Sequence, residues 1–205
     1  DQRRPLRVAT LRAAFVEVLS HRVVVVSIAV QTLGFACLFA TLSATQPIFD
    51  QVYGEGDRFA LWFAVIAIVS GTASLINAKL VGRLGMRRMI TVTLAAQVVF
   101  SCAMLVTKSL GMWPGALAFP AHLVWTIGVF FMTGLTIGNL NALGLEPVGH
   151  IAGMAASVMG AIATVASVVL AAPVGLMFNG TPYPLMAGVA LFAAAGWGLM
   201  RLIPR

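Results

Sequence analysis

The absence of charge from long stretches of this chain is the feature that most constrains its fold. Five stretches contain no Asp, Glu, Lys or Arg, and they cover residues 23–49, 59–78, 89–107, 109–145 and 147–200. Only 9% of the 205 residues are charged, and the mean hydropathy is +0.98. Soluble domains carry about 25% charged residues. The chain is therefore predicted to be an integral membrane protein.

The lengths of these stretches predict six transmembrane helices. A bilayer core about 30 Å thick needs about 20 helical residues, so each of the first three stretches holds one span. In the fourth stretch, Pro114 and Pro120 predict an interfacial loop before a single span. In the fifth stretch, a turn signal at residues 178–184 separates two spans. The predicted spans are residues 23–43, 59–77, 89–106, 121–143, 151–178 and 184–202 of an all-α bundle.

The basic residues predict the orientation of this bundle. With six spans, both termini lie on one side of the membrane, and that side carries eleven Lys and Arg residues. The other side carries only Arg58 and Lys108. Cytoplasmic loops are rich in Lys and Arg, so both termini are predicted to be cytoplasmic. The net charge of +7 then reflects topology, and no nucleic-acid partner is predicted.

Residues 1–22 are predicted to form a cytoplasmic linker ahead of the bundle at residues 23–205. Between residues 4 and 22, Leu11, Phe15, Val18 and Leu19 recur at helical spacing. This pattern is typical of a short amphipathic helix on the membrane surface. A flexible basic tail is the alternative.

The spans lack the residue clusters that enzymes use. His21, His122 and His150 lie near separate span boundaries, and no Asp or Glu falls within a span. No metal site and no catalytic site is therefore predicted, and the chain is not expected to be an enzyme. A proton-coupled carrier uses a buried ionisable residue, so any such carboxylate must come from another part of the protein.

Neutral polar and aromatic side chains follow two of the spans at helical spacing. They could line a cavity for a bulky, partly apolar solute, or they could fill the bundle and bond between helices. The candidates on the first span are Gln31, Phe35, Phe39, Ser43 and Gln46, and those on the fourth are Trp125, Met132, Thr133 and Thr136.

Small residues recur every four positions in the fourth and fifth spans. Gly134 and Gly138 lie in the fourth span, and Gly149 and Gly153 lie at the start of the fifth. Such repeats allow helix backbones to approach closely in lipid. They are predicted to mark helix packing within the bundle, with a dimer face as the alternative.

The loop after the second span resembles a known signature. Its sequence, at residues 77–89, is NAKLVGRLGMRRM. Leu80, Arg83, Gly85 and Arg87 match the cytoplasmic loop signature of the major facilitator superfamily, whereas Gly82 replaces its acidic residue. The departure is typical of the signature's second-half copy, and it argues against a charge relay through that acid.

Three further segments are similar to the C-terminal half of drug:proton antiporters of the bicyclomycin-resistance (Bcr/CflA) type. They are TLSATQPIFDQVYG at residues 41–54, NLNALGLEPVGHIAGMAASVMGAIATV at residues 139–165 and FNGTPYPLMAG at residues 178–188. The resemblance extends over residues 4–202, which would be spans seven to twelve of a twelve-helix carrier.

This resemblance implies two inverted repeats of three helices and a mechanism of alternating access. It implies efflux of a lipophilic drug or small molecule across a bacterial inner membrane, with a proton as the coupling ion and no other cofactor. It also implies that the first and fourth spans line the central cavity, opposite an N-terminal six-helix half.

The basic loop is also a candidate for a gate. Arg83, Arg87 and Arg88, beside Gly85, could form a latch with Glu146 that is broken in one transport state. Contact of the same arginines with lipid phosphates is the alternative.

The sequence is also compatible with two other classes of protein. A six-span protein with both termini on one side could form a homodimeric transporter in which a second copy replaces the other half. A membrane enzyme or assembly factor without transport activity is the other class.

Overall fold

The chain folds into long helices joined by short connections. The computed structural model describes residues 15–203, and this part of the chain contains no β-strand. A helical segment at residues 15–20 precedes the main helices. Those are α1 (Arg22–Pro47), α2 (Phe59–Leu84), α3 (Met86–Ser109), α4 (Gly115–Leu145), α5 (Ala152–Leu176) and α6 (Tyr183–Leu199). The predicted all-α class is confirmed.

The helices are long and apolar enough for a membrane protein. Five helical segments of the described chain meet the length and hydropathy needed to cross a bilayer. One of them, Gly115–Leu176, is 62 residues long and contains both α4 and α5. Because about 20 residues cross the hydrocarbon core, this segment has room for two crossings.

Glycine and proline divide the helices from one another. Gly85 separates α2 from α3 with φ 78° and ψ 150°, a conformation that favours glycine. Between α4 and α5, Pro147 lies in a 3-10 turn at Glu146–Ile151, where Val148 leaves helical geometry. The loop expected around Pro114 and Pro120 is instead helical from Gly115 onward. Pro114 precedes the helix, and Pro120 forgoes one hydrogen bond without ending α4.

Two central helices organise the bundle. Helix α1 packs along α4, α5 and α6, whereas α4 packs along α1, α2 and α3. Helices α3 and α6 also pack against each other. By contrast, α2 and α3 touch little although they are consecutive, and so do α5 and α6. Exchanging α1 with α4, α2 with α5 and α3 with α6 leaves this pattern of neighbours unchanged.

The outer surfaces of the bundle are apolar. Helix α2 buries only Ile66 and Ala73, whereas α1 is the most buried helix. Large apolar side chains on the surface include Ile68, Val99, Val165, Val169 and Leu191. Such a surface needs a bilayer or another apolar partner to cover it.

Charged residues lie at the two ends of the bundle. The terminal end, as we name it, holds residues 15–22, the α2–α3 and α4–α5 connections and residues 200–203. The opposite end holds the other three connections. The described basic residues of the terminal end are Arg22, Lys79, Arg83, Arg87, Arg88 and Arg201, and those of the opposite end are Arg58 and Lys108.

The helical segment at residues 15–20 rests against the terminal end. Val18 is fully buried in a cluster that includes Val148 and Met159, and His150 lies 2.7 Å from the Glu17 carboxylate. Phe15 remains exposed. The part of the predicted amphipathic segment before residue 15, including Leu11, lies outside the described residues.

Candidate functional site

The candidate cavity residues of α1 divide into a buried and an accessible set. Gln31 is buried and donates a hydrogen bond from Nε2 to Asn141 Oδ1 on α4 at 3.2 Å. Phe35 and Phe39 are half-buried and stacked, with ring centroids 5.8 Å apart. Ser43 and Gln46 are exposed, although the Ser43 hydroxyl bonds to its own helix. The accessible face of α1 therefore runs from Phe35 to Gln46.

The candidates on α4 all lie inside the bundle. Trp125, Met132, Thr133 and Thr136 are buried. The hydroxyls of Thr133 and Thr136 donate to carbonyls one turn earlier in α4. These four residues therefore do not form an open surface together with the accessible face of α1.

Trp125 belongs to a polar network between α3 and α4. Its Nε1 donates to Ser101 Oγ at 3.0 Å, and Gln97 Nε2 donates to the same oxygen at 3.1 Å. A buried indole N–H needs an acceptor, and this network supplies one. Gln97 and Ser101 were not among the residues predicted for the site, although two polar residues one turn apart in an apolar helix were a usable signal.

A second group of amides lies toward the terminal end. Asn139 Nδ2 donates to Asn77 Oδ1 at 2.7 Å, which joins α4 to α2 as the Gln31–Asn141 bond joins α1 to α4. Within the described chain, Gln31 Oε1 has no hydrogen-bond partner. An unsatisfied buried acceptor costs about 1–3 kcal/mol. A hydrogen-bond donor placed next to Gln31 Oε1 would therefore be favoured.

The candidate gate residues lie at the terminal end. Gly85, Arg87, Arg88 and Glu146 line one cavity of about 380 Å³, where the α2–α3 and α4–α5 connections meet. Arg83 does not line this cavity. Among the described residues, Glu146 forms no ion pair with any of these arginines.

The four candidate packing glycines have different surroundings. A Cβ at Gly134 would lie 3.0 Å from Ala73 Cβ on α2, whereas a Cβ at Gly138, Gly149 or Gly153 would meet no atom within 4 Å. Four other glycines permit closer approaches between helices. They are Gly128 beneath Phe100, Gly144 beside Ser27 and Met159, Gly175 beside Ser43, and Gly188 beside Val174.

The opposite end carries a cavity that was not predicted from the sequence. It has a volume of about 540 Å³, and its lining includes Tyr53, Glu55, Trp62, Lys108 and Phe119. Lys108 Nζ donates to the Tyr53 hydroxyl at 3.3 Å, and Trp62 Nε1 donates to Glu55 Oε2 at 2.9 Å. Burial, with a smaller effect of Tyr183, raises the pKa of Tyr53 to about 12. The Tyr53 hydroxyl therefore stays protonated at neutral pH.

The described residues offer no candidate metal site. In residues 15–203, no group of three His, Cys, Asp or Glu side chains is placed to hold a metal ion.

Comparison with known proteins gives one informative similarity. No protein-family model matches the chain, and no solved structure matches it significantly. The chain is 26% identical over 192 residues to a bicyclomycin resistance protein homolog of Haemophilus influenzae. The alignment covers 91% of this chain and 46% of the relative. The chain thus spans about half the length of the curated relative it matches, and it is similar to a protein named for drug resistance.

Proposed function

We propose that the chain is the C-terminal six-helix half of a major facilitator drug-efflux transporter. The observation that carries this proposal is the similarity to the bicyclomycin resistance protein homolog, which runs along nearly the whole chain but only about half of the relative. A bundle of apolar helices without a catalytic cluster in its described part suits transport better than covalent chemistry.

The pattern of helix neighbours supports two repeats of three helices. An inverted repeat relates α1, α2 and α3 to α4, α5 and α6, so equivalent helices should have equivalent neighbours. Helix α1 packs on α5 and α6 as α4 packs on α2 and α3. The apolar surfaces of α2 and α5 are equivalent under this exchange, and we propose that the N-terminal half packs against them.

The charge distribution supports an orientation with both termini in the cytoplasm. Six described basic residues lie at the terminal end and two at the opposite end. Because positive charge is retained on the cytoplasmic side, the opposite end would face the outside of a bacterial inner membrane.

The accessible face of α1 is the proposed substrate wall of this half. Stacked Phe35 and Phe39 offer adaptable apolar contact, while Ser43 and Gln46 offer hydrogen bonds. Gln31 and the α4 residues would contribute indirectly, by holding α1 and α4 in place.

Any carboxylate that serves proton coupling has to come from outside these helices. Helices α1–α6 contain no Asp or Glu, and a proton site within the membrane uses an ionisable side chain. We propose that the N-terminal half supplies it and that no other cofactor takes part.

Resistance measurements in an efflux-deficient bacterium test this function. Expression of the complete gene should raise resistance to bicyclomycin or to lipophilic drugs, and an uncoupler should restore drug accumulation. The double variant Phe35→Ala/Phe39→Ala should lose at least half of the resistance at equal membrane abundance. Leu191→Ala, at an exposed position on α6, should keep it.

Two results would contradict the proposal. One is unchanged drug resistance on expression of the complete protein, and the other is equal resistance of the Phe35→Ala/Phe39→Ala and Leu191→Ala variants. A complete gene product with only six spans would instead favour the homodimeric transporter.

A further inference from the structure

A charged, aromatic cavity and an apolar groove adjoin each other on one side of the opposite end. The head cavity, as we name it, is the 540 Å³ cavity lined by Tyr53, Glu55, Trp62, Lys108 and Phe119. Pro120 lines this cavity and also lines the next cavity along α4. The two spaces are therefore adjacent.

The groove lies between α3 and α4. Its first part, of about 300 Å³, is lined by apolar residues that include Met104, Leu117 and Val124. Its second part, of about 430 Å³, includes Val92, Met132 and Leu135. Phe100 lines both parts, so they form one groove. From Leu117 to Leu135 it extends about 27 Å along α4, which exceeds the roughly 15 Å depth of one leaflet.

The head cavity contains two opposite charges that do not neutralise each other. Among the described residues, Glu55 has Arg58 as its cationic neighbour at 3.9 Å, and no carboxylate lies within ion-pair distance of Lys108. Lys108 instead donates to the neutral Tyr53 hydroxyl. A ligand with both a cation and an anion would complement this pair of residues.

The surroundings of each charge match one part of such a ligand. Trp62 donates to Glu55 from Nε1 and packs edge-on against Phe119, so two aromatic rings lie on the Glu55 side of the cavity, and aromatic faces attract ammonium groups. The Tyr53 ring instead faces Lys108 Nζ, which lies 5.3 Å from the ring centroid. Gly115 and Ala116, the first residues of α4, line the cavity together with Lys108. The first N–H groups of a long helix attract phosphate, as does a lysine.

We propose that this site binds a zwitterionic aminophospholipid of the leaflet at the opposite end. Its ammonium lies against Glu55 and the aromatic rings, its phosphate lies against Lys108 and the start of α4, and one acyl chain follows the α3–α4 groove. The length and apolar lining of the groove fit an acyl chain. The opposite charges of Glu55 and Lys108 in the adjoining head cavity fit a zwitterionic headgroup better than an anionic one. The site is separate from the proposed substrate wall on α1.

Lipid retention by the purified protein tests the site. The protein, expressed from its complete gene, is reconstituted in vesicles of equal phosphatidylethanolamine and phosphatidylglycerol, and the lipids that remain bound after extraction are counted by native mass spectrometry. The wild type should retain phosphatidylethanolamine preferentially. Lys108→Gln and Glu55→Gln should each lower this retention about tenfold, the effect expected for one charge-assisted hydrogen bond.

Matched controls separate the site from general effects. Lys79→Gln removes an exposed lysine at the terminal end and should retain lipid as the wild type does. Val124→Trp would fill the first part of the groove, whereas Val99→Trp, also at an exposed valine, lies outside it. Only Val124→Trp should lower retention. Gel filtration and helicity by circular dichroism establish that each variant is folded.

Three outcomes would overturn the proposal. They are equal retention of the two lipids by the wild type, retention by Lys108→Gln and Glu55→Gln equal to that by Lys79→Gln, and equal retention by the two tryptophan variants. None of them bears on drug resistance, so failure of this site and failure of the proposed transport function are distinguishable.

Discussion

Gly134 and Gly138 lie one turn apart on α4 but have different neighbours. A Cβ at Gly134 would lie 3.0 Å from Ala73 Cβ, which is fixed to the backbone of α2, whereas a Cβ at Gly138 meets open space. Gly134→Val should therefore force α2 and α4 apart and lower the free energy of unfolding by about 1–3 kcal/mol. Gly138→Val should have a smaller effect, and equal thermal melting temperatures of the two purified variants would contradict this account.

At the scale of single residues, the sequence predicted which side chains share a helix face but not what covers that face. The spacing of Trp125, Met132 and Thr136 predicts that they share one side of α4, and all three are buried. Their neighbour could not be read from spacing, because it depends on how α3 and α1 pack around α4. Gln31 illustrates the same limit, since its partner Asn141 is distant in sequence.

Among the elements, the helical segment at residues 15–20 is attached to the bundle through Val18. This side chain is fully buried beside Val148 and Met159, whereas Val16 is 60% exposed. Val18→Asp would place an unpaired carboxylate in an apolar cluster, which is strongly unfavourable, and the segment should detach. Trypsin should then cleave after Arg22 several-fold faster than in the wild type. Val16→Asp is the matched control, and equal cleavage rates in the two variants would contradict the attachment.

Helices were predictable from charge-free runs because a bilayer crossing requires about 20 residues without charge. Their ends were less predictable, since local residues and tertiary contacts compete there. The helix α4 begins at Gly115, where a loop was expected, because Pro114 lies just before the helix and Pro120, in the second turn, removes one hydrogen bond without ending it. The head cavity was not predicted from the sequence, for a related reason. Glu55 lies in the α1–α2 connection and Lys108 in the last turn of α3, and only the packed bundle brings these two charges together.

For the whole molecule, two features fit together. The pattern of helix neighbours is unchanged when α1–α3 are exchanged with α4–α6, and most of the basic residues lie at one end of the bundle. The two central helices are equivalent under the exchange, and the two most extensive apolar surfaces, on α2 and α5, are equivalent as well. A second six-helix bundle packed on both surfaces would face the accessible side of α1. The similarity to about half of a resistance protein homolog agrees with such a partner.

The orientation of this architecture in the membrane is testable with single cysteines. Cys37 and Cys102 are first replaced by Ala, and a cysteine is introduced either as Asp57→Cys at the opposite end or as Lys79→Cys at the terminal end, both exposed positions. Because positive charge is retained in the cytoplasm, a membrane-impermeant maleimide added to intact cells should label Asp57→Cys. Lys79→Cys should be labelled only after the membrane is permeabilised. The reverse pattern would place the basic end outside, and it would contradict the proposed orientation.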